Sequence, residues 1–99
     1  MLQKTNLLDP YYRFRSLAEV QQAAALGIRI DVNKTSVDDW LRLPGISIRQ
    51  AQLLNQLLKQ GIQFCCMEDI AAVLNLPIHR LLPFATLLQF CYYDPQELD

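Results

Sequence analysis

A chain of 99 residues with a formal charge of −1, 52% apolar and 19% charged side chains is sized for one domain. It is too apolar to stay disordered, and it lacks the basic excess of a dedicated nucleic-acid binder. No apolar run approaches the roughly 18 residues of a membrane span.

The start Met1-Leu2-Gln3-Lys4-Thr5-Asn6-Leu7-Leu8-Asp9-Pro10 has one lysine but no apolar h-region or small-residue cleavage site. It reads as the beginning of a soluble, cytoplasmic protein. Next, Tyr11-Tyr12-Arg13-Phe14-Arg15 interleaves rings and cations. Rings covering the edge of the core while the arginines snorkel is the favoured reading, with a nucleic-acid contact as the alternative. Ser16-Leu17-Ala18-Glu19 is a capping box and Gly27 a stop, enclosing a helix over 17–26. Residues 28–32 alternate like a strand, but with no partner in sight they are expected to be an extended connector.

Ser36, followed by Asp38 and Asp39, caps a short helix over 37–42. Pro44-Gly45 then breaks the hydrogen-bond ladder and permits a tight reversal. Ser47 with Gln50 opens a second helix, whose apolar stripe is Ala51, Leu54 and Leu58, widened by Leu53 and Leu57, and which Gly61 ends. A shift of 30 residues lays this unit on the next: Trp40 on Ile70, Leu43 on Val73, Ile46 on Leu76, Arg49 on His79, Leu54 on Phe84. Charged positions meet charged and apolar meet apolar, as in a duplicated supersecondary unit. The copy is weaker, with Cys66 for Ser36, Asn75 for Gly45 and Pro77 for Ser47, although asparagine tolerates a left-handed turn and proline suits a helix start.

Pro83 should kink or split the last helix near Leu82. Beyond it Phe84, Leu87, Phe90 and Cys91 leave the stripe formed by Leu81, Ala85 and Leu88, so this end must be deeply buried or dock on something else. The fold expected is all-α: two helix-hairpin-helix units in tandem after an extra N-terminal helix, a five-helix SAM-like domain. Residues 1–30 form an extension packed on the core, 31–92 the tandem domain and 93–99 a tail. Trp40 belongs to the core.

Three cysteines, two of them adjacent at Cys65 and Cys66, suit a reducing compartment rather than a disulfide framework. Without C-x-x-C spacing or a second ligand near His79, neither a metal nor a cofactor is expected. No paired carboxylates converge, His79 has no nucleophile partner and the cysteines have no activating neighbour, so the chain does not read as an enzyme.

The run Asp31-Val32-Asn33-Lys34-Thr35-Ser36, then Leu43-Pro44-Gly45-Ile46, Ala51 and Glu68-Asp69-Ile70, resembles the helix-hairpin-helix domain of the competence protein ComEA. Within that family it is most similar to small cyanobacterial members, over about residues 31 to 90. The resemblance implies sequence-independent binding of double-stranded DNA, with main-chain N–H groups at a helix start holding backbone phosphate. Placed on this chain, the site would be Gly45, Ile46, Ser47 and Arg49, with His79 and Arg80 assisting; a histidine in a first turn is otherwise simply solvated. Ser47 stands where the family has a second glycine and Ile48 where it has proline, and Pro77 carries no N–H. The alternative is a non-catalytic module that has lost DNA binding and meets a protein partner, or a second copy, through Phe84, Leu87 and Phe90. No membrane contact is implied.

Overall fold

Four α-helices dominate the computed structural model, which describes residues 7–93. The expectations for the first six residues and for 94–99 lie outside it. In chain order come α1 (Leu17–Ala25), β1 (Ile30–Asp31), a 3-10 turn at Val32–Lys34, α2 (Val37–Leu41), α3 (Ile48–Lys59) and α4 (Met67–Leu74). Two further 3-10 turns, Ile78–Arg80 and Leu82–Phe84, lead into β2 (Leu88–Gln89). The described chain is mostly helical, and no helix in it is long and apolar enough to cross a membrane.

Local chemistry sets these limits. The Ser36 and Ser47 hydroxyls accept from Asp39 N–H (3.3 Å) and Gln50 N–H (3.1 Å), and each N3 side chain returns a bond to the cap amide. At α1 the box is half formed: Ser16 accepts from the Glu19 N–H, but the Glu19 carboxylate turns to the Arg15 N–H (2.6 Å) and the Tyr12 hydroxyl. Helices α1, α3 and α4 end in the same pair of reversed bonds. Gly27, Gly61 and Asn75 donate three residues back, and Ile28, Ile62 and Leu76 donate five residues back. That pattern needs a left-handed residue, and Asn75 supplies it at φ 54° without being glycine.

The end of the chain departs from the expected fifth helix. Pro83 has no N–H to give to His79, and its ring would crowd that carbonyl. From Arg80 to Leu87 the backbone bonds instead run from i to i−3: Arg80 to Pro77, Leu81 to Ile78, Phe84 to Leu81, Ala85 to Leu82 and Leu87 to Phe84. The result is two 3-10 turns and not a kinked helix. The released chain then pairs in parallel with β1, Ile30 beside Leu88 and Asp31 beside Gln89. The connector expected at 28–32 therefore does have a strand partner, 58 residues away, and Ile30 N–H donates to Leu87 O at 2.8 Å.

One core runs through both halves. Trp40, Leu54, Ile70, Leu87, Val20 and Val32 are fully enclosed, joined by Phe14, Phe64, Leu81 and Phe84. Burial follows the 30-residue offset: Trp40 and Ile70 are each 1% exposed, and Leu54 and Phe84 are 0% and 3%. Helix α1 packs on the Leu82–Phe84 turn, and α2 packs on α3.

Two sets of polar contacts fasten the ends. Arg42, at the end of α2, is buried. Its guanidinium donates to the carbonyls of Tyr12 (2.9 Å) and Leu7 (3.4 Å) and lies 4.8 Å from the Phe14 ring centre, while Phe14 N–H donates to Arg42 O at 2.8 Å. Desolvation pushes its pKa below the usual value, but an arginine stays charged. Phe14 is therefore core, whereas Arg13 and Arg15 are exposed. At the other end, Asn33 donates to Cys91 O (2.7 Å) and Gln63 brackets the main chain of Tyr93, the expected first residue of the tail. The Tyr93 hydroxyl donates to Asp31, and that hydrogen bond, with desolvation, holds the phenol well above its ordinary pKa.

Candidate nucleic-acid interface

The reversal between α2 and α3 is built on Leu43-Pro44-Gly45-Ile46. Ile46 N–H closes it on Leu43 O at 3.3 Å, and Gly45 sits at φ +90°. Proline followed by a residue at positive φ is the type II pattern, which favours glycine at that place. A Cβ on Gly45 would meet nothing within 4 Å, so backbone conformation alone demands the glycine.

This turn delivers the chain to α3 with several amides unspent. Among the described residues nothing accepts from the N–H of Gly45, Ile48 or Arg49. Gly45, Ser47, Ile48 and Arg49 are all exposed. The Ser47 amide, however, is not free, because Gln50 Oε1 accepts from it at 2.9 Å. The capping box read from the sequence thus occupies one of the donors that the resemblance assigns to phosphate.

Charge also distinguishes this helix start. α1 carries Glu19 in its first turn, α2 carries Asp38 and Asp39, and α4 carries Glu68 and Asp69. The first turn of α3 has no acid and holds Arg49. Three of the four helix dipoles are offset by carboxylates, and that of α3, twelve residues long, is open to an anion.

The second unit faces this turn across a cleft of about 70 Å³, lined by Pro44, Gly45, Ile46, Leu76, Arg80, Leu81 and Phe84. Of the residues expected to act together, Gly45, Ile46 and Arg80 share this cleft. Ser47, Arg49 and His79 are exposed outside its lining. The second hairpin has less to offer. Its Asn75 and Leu76 amides are spent on Ala72 O (3.3 Å) and Ala71 O (3.0 Å), and Pro77 has none. Pro77 occupies the cap position before the turn rather than the first helical position. Among the described residues nothing accepts from the Ile78 and His79 N–H groups, yet a single 3-10 turn stands behind them, with no long helix dipole.

The docking face expected on Phe84, Leu87 and Phe90 is corrected by burial. Phe84 is 3% exposed and Leu87 0%, so both are core, and Phe90 alone is partly accessible. Without a continuing helix, the apolar surplus folds inward over α1 and β1. Sequence reasoning passed over Arg42, whose position between Leu41 and Leu43 could have marked it as a cation with a buried task. It also passed over Asn33 and Gln63, equivalent under the 30-residue shift, which both hold the C-terminal stretch. The described residues hold no group of three or more His, Cys, Asp or Glu side chains placed to bind a metal.

No protein-family model, curated protein or solved structure matches the chain.

Proposed function

We propose that the chain is a tandem helix-hairpin-helix domain that binds the backbone of duplex DNA weakly, without reading sequence, through its first hairpin. The observation that carries this reading is the start of α3. Three unpaired amides, a first turn free of acid and Arg49 coincide there, with Arg80 across the adjoining cleft. Main-chain N–H groups and a helix dipole favour an anion of any sequence context, and the two arginines supply cations that neutralise it.

The same features keep the binding weak. Net charge is −1, the Ser47 amide is engaged by Gln50, and the second hairpin presents neither glycine nor a cap amide. With few phosphates neutralised, the salt slope on duplex DNA should be only about 1 to 3, and affinity should sit near or below the roughly 10⁻⁴ to 10⁻⁶ M of ordinary non-specific binding.

Fluorescence anisotropy on a short labelled duplex, from low to moderate salt, tests the reading. Expected are a shallow slope, equal affinity for unrelated sequences, and a loss of binding in both Arg49→Ala and Arg80→Ala. No binding at low salt and high protein concentration would refute it.

A further inference from the structure

The turn that carries Gly45 follows a helix too short to aim it. α2 has five residues, little more than one turn, so its direction comes from what holds its ends. The N-terminal segment holds the last of these ends. Arg42 O accepts from the Phe14 N–H at 2.8 Å, and the buried guanidinium donates to Tyr12 O (2.9 Å) and Leu7 O (3.4 Å), 4.8 Å from the Phe14 ring centre. Two residues on, Pro44 has no N–H to add, and the turn itself is closed by the bond from Ile46 N–H to Leu43 O. The second unit lacks this fastening. Ala72 stands where Arg42 stands under the 30-residue offset; it is exposed, and its carbonyl accepts from Asn75 at the end of its own helix. The end of α4 is thus closed on itself, whereas the end of α2, which leads into the glycine turn, is tied to a distant part of the chain.

We propose that Arg42 is a positioning residue for the phosphate turn. It rests on the function proposed above and extends the binding module to residues 7–14, outside the hairpins. By tying the end of α2 to that segment, Arg42 sets where the Gly45 amide stands relative to the start of α3 and to Arg80 across the cleft. It does so without touching the ligand, because its side chain is buried and its donors are directed at carbonyls. A planar guanidinium that serves two carbonyls and stacks on a ring fixes both distance and angle, which a flexible ammonium does not.

The test compares Arg42→Lys, which keeps the charge, and Arg42→Gln, which keeps a donor, with the full natural chain on a short labelled duplex, well below each Tm. Affinity should fall roughly three- to tenfold in both, as fewer molecules hold a competent turn. The salt slope should stay unchanged, since a buried guanidinium neutralises no phosphate. Without DNA, the Ile46 amide should exchange about tenfold faster in both variants, while the Ala51 amide, bonded to Ser47 O in α3, keeps its rate. Equal acceleration at Ile46 and Ala51, or a lower Tm with affinity and Ile46 protection intact, would make Arg42 mere scaffold and overturn the proposal. So would a slope reduced by about 0.9 in Arg42→Gln, the mark of a direct phosphate contact. If the natural chain binds no duplex, the function proposed above fails, and exchange at Ile46 alone decides whether Arg42 sets the turn. If Arg42→Gln does not fold, Phe14→Leu, which removes the ring beside the guanidinium, should show the same local loss at Ile46 in smaller degree, and unchanged protection there would overturn the proposal.

Discussion

The two units related by the 30-residue offset start from matching positions in the sequence and arrive at different surfaces. In the first, Pro44 stops α2 early, Gly45 turns at φ +90°, and a twelve-residue helix follows; among the described residues nothing accepts from the Gly45 amide in the turn or from the Ile48 and Arg49 amides at the helix start. In the second, Leu74 stands where Pro44 stood, so α4 runs three residues further than the equivalent of α2 and spends the Asn75 and Leu76 amides closing its own end. Pro83 then prevents the answering helix. A handful of prolines thus decides which unit places its amides before a long helix and which places them before a single 3-10 turn. On the proposed reading the second unit keeps its share of the core but offers phosphate less.

The largest effect should come from removing one copy. A fragment ending at Gly61 loses Ile70, Leu81, Phe84 and Leu87 from the shared core, so it should show no cooperative thermal transition. Next, Phe84→Ala should cost about 3–5 kcal/mol and its counterpart Leu54→Ala about 2–5 kcal/mol in urea unfolding. A loss below about 1 kcal/mol at Phe84, the size of a surface change, would put that ring back on a docking face.

Gly45→Val should cost about 1–3 kcal/mol through backbone strain alone, and DNA binding should fall with it. Unchanged stability would mean that the turn does not need its left-handed glycine. Gln50→Ala breaks one capping box, at about 0.3–1.5 kcal/mol, and frees the Ser47 amide. Slightly tighter DNA binding in a slightly less stable protein is the expected pair, and weaker binding would assign Gln50 to the site itself. The smallest change is Pro77→Gly, which restores an N–H in the second hairpin. If that hairpin then takes a phosphate, the salt slope rises by about 0.9, and an unchanged slope would show that the missing helix, not the missing amide, closes this copy.

Much of this contrast was legible before the structure. Ser36, Ser47, Gly27 and Gly61 mark helix ends through bonds that reach three to five residues, which a local reading can find. Asn75 and Pro83 announced a weaker second unit for equally local reasons. The β1–β2 pairing was not legible, because Ile30 and Leu88 meet across 58 residues and two-residue strands leave no periodicity to detect. The inward turn of Phe84 and Leu87 depends on that pairing, and so the apolar surplus could be read equally as core or as interface. Within the candidate site, local pattern marks the Gly45 turn and the Ser47 cap, whereas a phosphate role for Gly45, Ser47 and Arg49 comes from the resemblance alone. Arg80 opposite Gly45 is a product of packing between the units. The cost of the Ser47–Gln50 box to phosphate binding follows from counting each donor once.

On the function proposed above, the first hairpin is open to phosphate and the second closed. Amide chemical shifts of the labelled protein, followed as a short duplex is added at low salt, address it residue by residue. Gly45, Ile48 and Arg49 should move together and saturate, with the Arg80 side chain responding across the cleft, while Asn75 and Leu76 stay in place. Matching shifts at Asn75 and Leu76, or none at Gly45, Ile48 and Arg49, would contradict the claim.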